Sequence, residues 1–138
     1  MSRLILKSGL YLFEAILEEK NAPLTCAKVL SMLPIMERVV HVRWSGEGIW
    51  IPYGDMQMNL PYENPTSYAG RGMALLYPGG VSEAEIVFAY GDFCFASKAG
   101  QLAGNHFLTI TSQLDKFYEF GRQVLYEGAQ ELIIELAK

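Results

Sequence analysis

Asp92 and His106 are the residues whose types could together move a proton. A carboxylate that orients an imidazole leaves the other ring nitrogen as a general base, and histidine titrates near neutral pH. Tyr90, Ser97, Lys98 and Asn105 lie in the same stretch, which holds most of the chain's concentrated polar chemistry. The structural alternative is plainer and is preferred: Asp92 caps a turn after Gly91, and His106 is a half-buried strand histidine. Ser45 and Ser97 could supply a nucleophile, but neither sits in a Gly-x-Ser-x-Gly elbow. Cys94 would be nucleophilic beside Lys98 or His106 if its thiol were acidified. Its flanking Phe93 and Phe95 make it a core thiol instead.

A second set of residues suits binding. Trp44, Trp50, Tyr53, Phe88 and Tyr90 are aromatic and fall on or beside predicted strands. Core filling accounts for most of them, yet tryptophan and tyrosine carry polar tips that suit a pocket mouth. Ligand pockets are mostly apolar with a few converging polar groups. Trp44, Trp50, Tyr90, Asn105 and His106 would make one, with Tyr53 and Phe88 beside them. Glu47, in a turn, reads as a solvated charge.

Strands and two helices must position these residues. Leu4–Leu6 and Leu10–Leu17 alternate around a Lys7-Ser8-Gly9 turn and predict a hairpin. Pro23 suits a first helical turn, and Cys26, Val29, Leu30 and Leu33 share one helical face before Pro34 ends it. Val39–Trp44 and Ile49–Ile51 predict strands around a Ser45-Gly-Glu-Gly48 turn. The segment 52–66 reads as a loop, but Tyr53, Met56, Met58, Leu60 and Tyr62 make it more apolar than a free loop. That excess suggests a homo-oligomer interface through 52–66. Gly72–Tyr77, Ile86–Tyr90 and His106–Ile110 are buried-strand runs. Ser112 is placed as the N-cap of a last helix with Asp115 at its third position, and Gly128 as its stop. Glu131–Leu136 is a final strand.

About eight short strands and two helices around one core predict a mainly β fold, a closed barrel, in a single domain spanning 1–138. Closure also removes exposed edges from an apolar chain. If Leu108 and Ile110 fill the barrel, alternation places His106 on their face at the rim, near Trp50 or Tyr90, with Phe107 and Thr109 opposite.

Composition narrows the class. Of 138 residues, 51% are hydrophobic and the net charge is −4, with no basic patch, which argues against a nucleic-acid binder. No apolar run approaches the roughly 18 residues of a membrane span. The opening residues are too soon charged for a signal peptide. Cys26 and Cys94 read as reduced thiols of a cytoplasmic protein. Two cysteines and two histidines without metal spacing predict no metal site. Gly70-Arg71-Gly72 and Gly79-Gly80 lack the residues of a phosphate loop, so no cofactor is expected.

The order of elements resembles a known pattern. Ala22-Pro23-Leu24-Thr25 opening a helix, and Gly104-Asn105-His106-Phe107 beginning a strand that leads to the last helix, resemble segments of cyclophilins. Across nearly the whole chain the sequence resembles the uncharacterised bacterial and archaeal family of domain of unknown function 3830, a cyclophilin-like barrel. Arg43–Trp50, Phe88–Asp92 and Gly100–Phe107 carry that likeness. The resemblance implies a fold and brings no established activity. Only His106, and loosely Phe88, match the cyclophilin groove. The stretch Gly48–Gly54, where prolyl isomerases carry a catalytic arginine, has none.

The expectation is therefore a barrel that binds a small molecule or short peptide in an aromatic-lined groove. The alternatives are an enzyme, either prolyl isomerase-like or using His106 and Asp92 in hydrolysis or ring opening, and a structural subunit of a homo-oligomer.

Overall fold

The computed structural model describes residues 1–138. Two antiparallel strands, β1 (Arg3–Ser8) and β2 (Tyr11–Leu17), form the predicted hairpin around Gly9, whose φ is +57°. Helix α1 (Pro23–Met32) has Pro23 in its first turn, as expected. Strand β3 (Ile35–His41) begins earlier than the apolar pattern predicts, and β4 (Gly46–Gly54) runs on past Ile51. A two-residue β5 (Pro65–Thr66) precedes β6 (Met73–Tyr77) and the long β7 (Ala84–Phe93). A small hairpin, β8 (Ala96–Ser97) and β9 (Gly100–Gln101), leads to β10 (Gly104–Ile110). Helix α2 (Leu114–Glu127) and β11 (Gln130–Leu136) complete the chain.

The sheet order is β2-β1-β11-β3-β4-β7-β6-β10, and β10 pairs back onto β2, closing an antiparallel barrel of eight strands. Strand β5 lies outside the ring, paired to the start of β10. Period-two alternation sends Leu4, Leu6, Phe13, Ile49, Ile51, Ile86, Phe88, Leu108 and Ile134 into one interior core. The helices close opposite ends. Asn105, Leu76 and Ile86 lie level across three strands, and Asn105 bonds Thr25 of α1 at that end. Tyr90, four residues farther along β7, meets α2 at the other. Phe117 of α2 sets its ring edge-on to Phe13, with centroids 5.2 Å apart.

Helix α2 does not start on the expected cap. Gln113 occupies the N-cap position in a left-handed conformation with no side-chain cap bond. The Ser112 hydroxyl instead accepts the Glu14 N–H of β2, at 2.9 Å. Strand pairing outcompetes the local capping pattern there.

Strand β7 is buried on both faces from Ala84 to Tyr90. Its outward residues Val87 and Ala89 belong to a second cluster with Leu75, Tyr77, Phe95 and Leu102. The excursion 93–102 folds back over the outside of β6 and β7 to cover them. Phe95 packs edge-on to Tyr77 and is stacked with Phe93.

At Gly121 helix α2 approaches the barrel closely. A Cβ there would lie 2.3 Å from the Tyr90 ring. That ring cannot easily swing away, because its hydroxyl is bonded to His41 at 2.9 Å. An alanine normally stabilises a helix interior by about 1 kcal/mol relative to glycine. Here overpacking reverses the sign, so Gly121→Ala is expected to destabilise the fold by about 1–3 kcal/mol in urea unfolding.

Candidate functional site

The seven residues expected to form one groove are distributed over three places. Phe88 and Tyr90 face the barrel interior and are fully buried. Tyr53 packs against the same core, its hydroxyl buried without a hydrogen-bond partner. Burial pushes that hydroxyl up to about 12. Asn105, also fully buried, ties the 61–63 segment to α1. Its amide donates to the Pro61 carbonyl (3.0 Å) and to Thr25 Oγ1 (3.1 Å), and its Oδ1 accepts the Glu63 N–H (3.0 Å). Glu63 in turn accepts the Thr25 N–H and so caps α1 from the loop. Met58 is buried and Leu60 packs against the barrel core, so part of the loop's apolar character is spent within the chain; Met56 and Tyr62 stay exposed.

His106 lies on the outer face, not toward the interior. A register shift between His106 and Leu108 inserts Phe107 as an extra residue, which reverses the alternation. Phe107 and Leu108 are both buried in the core, while His106 and Thr109 share the outside. His106 Nε2 bonds Thr109 Oγ1 at 2.9 Å, and that hydroxyl donates to Glu18 at 2.7 Å. Burial holds the His106 ring below the usual histidine range, although Glu18 pulls the other way. His106, Leu75, Val87 and Trp50 form one row across four strands. Three strand spacings, about 14 Å, therefore separate His106 from Trp50.

Asp92 does not pair with His106. It lies five residues beyond Val87 on β7, about 17 Å along the strand from that row. Its backbone N–H donates to Glu47 Oε1 at 2.8 Å. Glu47 is thus a structural acceptor and not the solvated charge its turn position suggests. Its other oxygen accepts the Tyr118 hydroxyl (2.9 Å) and faces Arg122 (3.7 Å), fastening α2 to the barrel. The Asp92 N–H, the Tyr118 hydroxyl and the two arginines Arg122 and Arg71 hold its carboxyl below the usual range. His41, which the sequence does not single out, completes this end. Its Nδ1–H donates to the Val42 carbonyl (2.8 Å), leaving Nε2 to accept the Tyr90 hydroxyl.

The candidate nucleophiles are likewise occupied. Ser45 is buried, and its hydroxyl both donates to the Ala96 carbonyl (3.1 Å) and accepts the Ala96 N–H (2.9 Å). Ser97 Oγ accepts the Ala99 N–H in the β8–β9 turn.

Trp44 and Trp50 do come together, on the outside of the barrel. They wall a groove of about 190 Å³ between the 42–45 turn, the 96–98 tip and the 82–83 turn. Trp44 is 54% exposed, and Trp50 is half-buried against the outer cluster. Arg43, Glu83 and Lys98 stand on the rim, all exposed. Glu85, the first outward residue of β7, lines the groove and is only 7% exposed. Burial, then the neighbouring Glu83, pushes its carboxyl up to about 8. A wider polar depression of about 690 Å³, formed by 54–57 and 78–80, adjoins through Ser82 and Glu83.

Two outcomes test this geometry. Asn105→Ala leaves the Glu63 N–H without its acceptor and is expected to cost about 2–3 kcal/mol. Limited proteolysis should then cut within 56–64 before any other segment. For Glu85, the folded value of about 8 lies above its ordinary 4.5, so between those pH values the folded state holds the extra proton. Stability from this group falls as pH rises through that window, by about 1.4 kcal/mol per unit. Glu85→Gln should remove that slope in urea unfolding at pH 5, 6, 7 and 8.

Comparison with known proteins bears on the fold. The structure of McbB in complex with tryptophan matches with a TM-score of 0.75 at 15% identity, covering 96% of this chain and 44% of that chain. The chain thus spans less than half the length of McbB. The solution structure of the hypothetical protein AF2241 from Archaeoglobus fulgidus matches with a TM-score of 0.64 at 17% identity, covering 99% of this chain and 95% of that one. At these identities the likeness is one of fold. No curated protein matches in sequence. No helix is long and apolar enough to cross a membrane. The family model for proteins of unknown function DUF3830 matches residues 4–136, and the chain belongs to that family.

Proposed function

We propose that this protein is a binding barrel that takes a small molecule or short peptide in the outer groove between Trp44 and Trp50. The observation that carries the reading is the pair of indoles at one concave site, one of them 54% exposed beside a strand otherwise covered by the 93–102 excursion. An exposed indole against a concavity offers a large apolar area at little entropic cost. The groove is preformed: Ser45 bonds Ala96 twice and its carbonyl accepts the Cys94 N–H at 3.0 Å, so two of its walls are fastened together. Preformed sites lose less ordering entropy on binding. McbB, similar in fold, was solved with tryptophan, which favours a small molecule over a macromolecular partner.

Binding by saturation-transfer NMR against a library of small aromatic compounds and capped tripeptides tests the reading. Hits should lose at least about tenfold in affinity in Trp44→Ala and in Trp50→Ala, a loss of 1.4 kcal/mol or more. They should be unaffected by His106→Ala. Hits that survive both tryptophan changes would move the site elsewhere.

A further inference from the structure

We propose that the groove selects an organic cation, an ammonium group seated on the Glu85 carboxylate between the two indoles. This rests on the groove being the binding site and adds the chemistry of its ligand.

Glu85 is more than nine-tenths buried and lines the groove; its carboxylate has no hydrogen-bond or ion-pair partner within the chain, yet its oxygens are not sealed off, Tyr53 Oη being the one fully buried side-chain atom left unsatisfied. Buried carboxylates are ordinarily paired, because an isolated buried charge is costly. Within the chain the candidate partners are Arg43 and Lys98, and both stay on the exposed rim without an ion pair. A partner for the ionised carboxylate therefore has to reach it through the groove. Three features make it cationic. The faces of indole rings attract ammonium groups. Glu83 adds a second carboxylate to the same groove. An anion placed at the floor would meet Glu85 first. Arg43 and Lys98 then serve the far end of a ligand that also carries an acidic or polar tail.

Burial keeps the free protein's Glu85 carboxyl largely protonated near neutral pH, so binding is an exchange. The ammonium keeps its own protons, the Glu85 O–H bond breaks, and one proton leaves to solvent. Affinity should rise about tenfold per pH unit up to about 8 and then level off. The charged groups that line the groove with Glu85 are Glu83 in the turn before β7, Arg43 in the β3–β4 turn and Lys98 at the β8–β9 tip, and Tyr77 is its register partner on β6. Tyr77 is itself occupied, accepting the Val81 N–H at 3.0 Å.

The test titrates benzylammonium, with benzyl alcohol as its neutral counterpart, into the full-length protein from pH 6 to 9. Tryptophan fluorescence and calorimetry in two buffers of different ionisation enthalpy are the readouts. Expected are binding of benzylammonium with release of about one proton, the stated pH dependence, and a loss of at least about tenfold in Glu85→Gln. The proton count is read on the unaltered protein and stands even if the variant folds poorly. Benzyl alcohol binding equally well without proton release would overturn the cation inference and leave the groove. Benzylammonium binding that is independent of pH and of Glu85→Gln would overturn it too. If neither probe alters tryptophan fluorescence at millimolar concentration, the inference falls. The groove reading falls with it only if the library hits also survive Trp44→Ala and Trp50→Ala.

Discussion

A closed barrel buries one face of every strand, yet β7 is apolar on both. The rest of the architecture answers that mismatch. Ile86, Phe88 and Tyr90 fill the interior with the other strands. Val87 and Ala89 would lie in water if nothing covered them, and burying side chains of that size is worth about 1–3 kcal/mol each. The chain supplies the cover itself by folding 93–102 back across β6 and β7 before entering β10. The groove is a by-product of that cover: its walls are the edges of the strap and the turn the strap is tied to.

The barrel was largely legible in the sequence because its signals are local and periodic. Alternation in Leu10–Leu17, the two-sided run Ile86–Tyr90 and the glycine-bounded turns each survive in the fold. What failed were features decided by pairing between distant segments. The extra residue at Phe107 leaves no mark in composition, yet it turns His106 from the inner face to the outer one. Ser112 has the residue type of a cap, but an unpaired N–H on β2 claims its hydroxyl. The early start of β3 depends on β11, which lies almost a hundred residues away and fixes Ile35 opposite Ile134.

The site was legible only in its walls. Tryptophans are conspicuous in any sequence, and Trp44 and Trp50 do line one groove. The polar partners expected for them lie elsewhere: Asn105 anchors the 61–64 segment, and His106 stands on the same outer face as Trp50 but three strands away. Glu85 is hidden in the sequence because it stands at the head of an apolar run, where an acid reads as the end of a strand. Its one signal was phase: it shares the outward parity of Val87 and Ala89, residues that the fold covers. Asp92 and Glu47 show the converse. Acidic residues in turns look available for chemistry, but here the Asp92 backbone and the Glu47 carboxylate hold α2 against the barrel mouth.

The two hydrogen bonds between Ser45 and Ala96 join segments 51 residues apart and leave the tip beyond them, Ser97 to Gly100, tied only to itself. This divides the molecule into a frame and an interchangeable part. Residues at the tip can be replaced, or a few added, without disturbing any strand of the ring, as is usual for exposed turns on a rigid scaffold. Changes at a handful of positions on that tip would therefore reshape the wall of the groove while the barrel beneath stays the same.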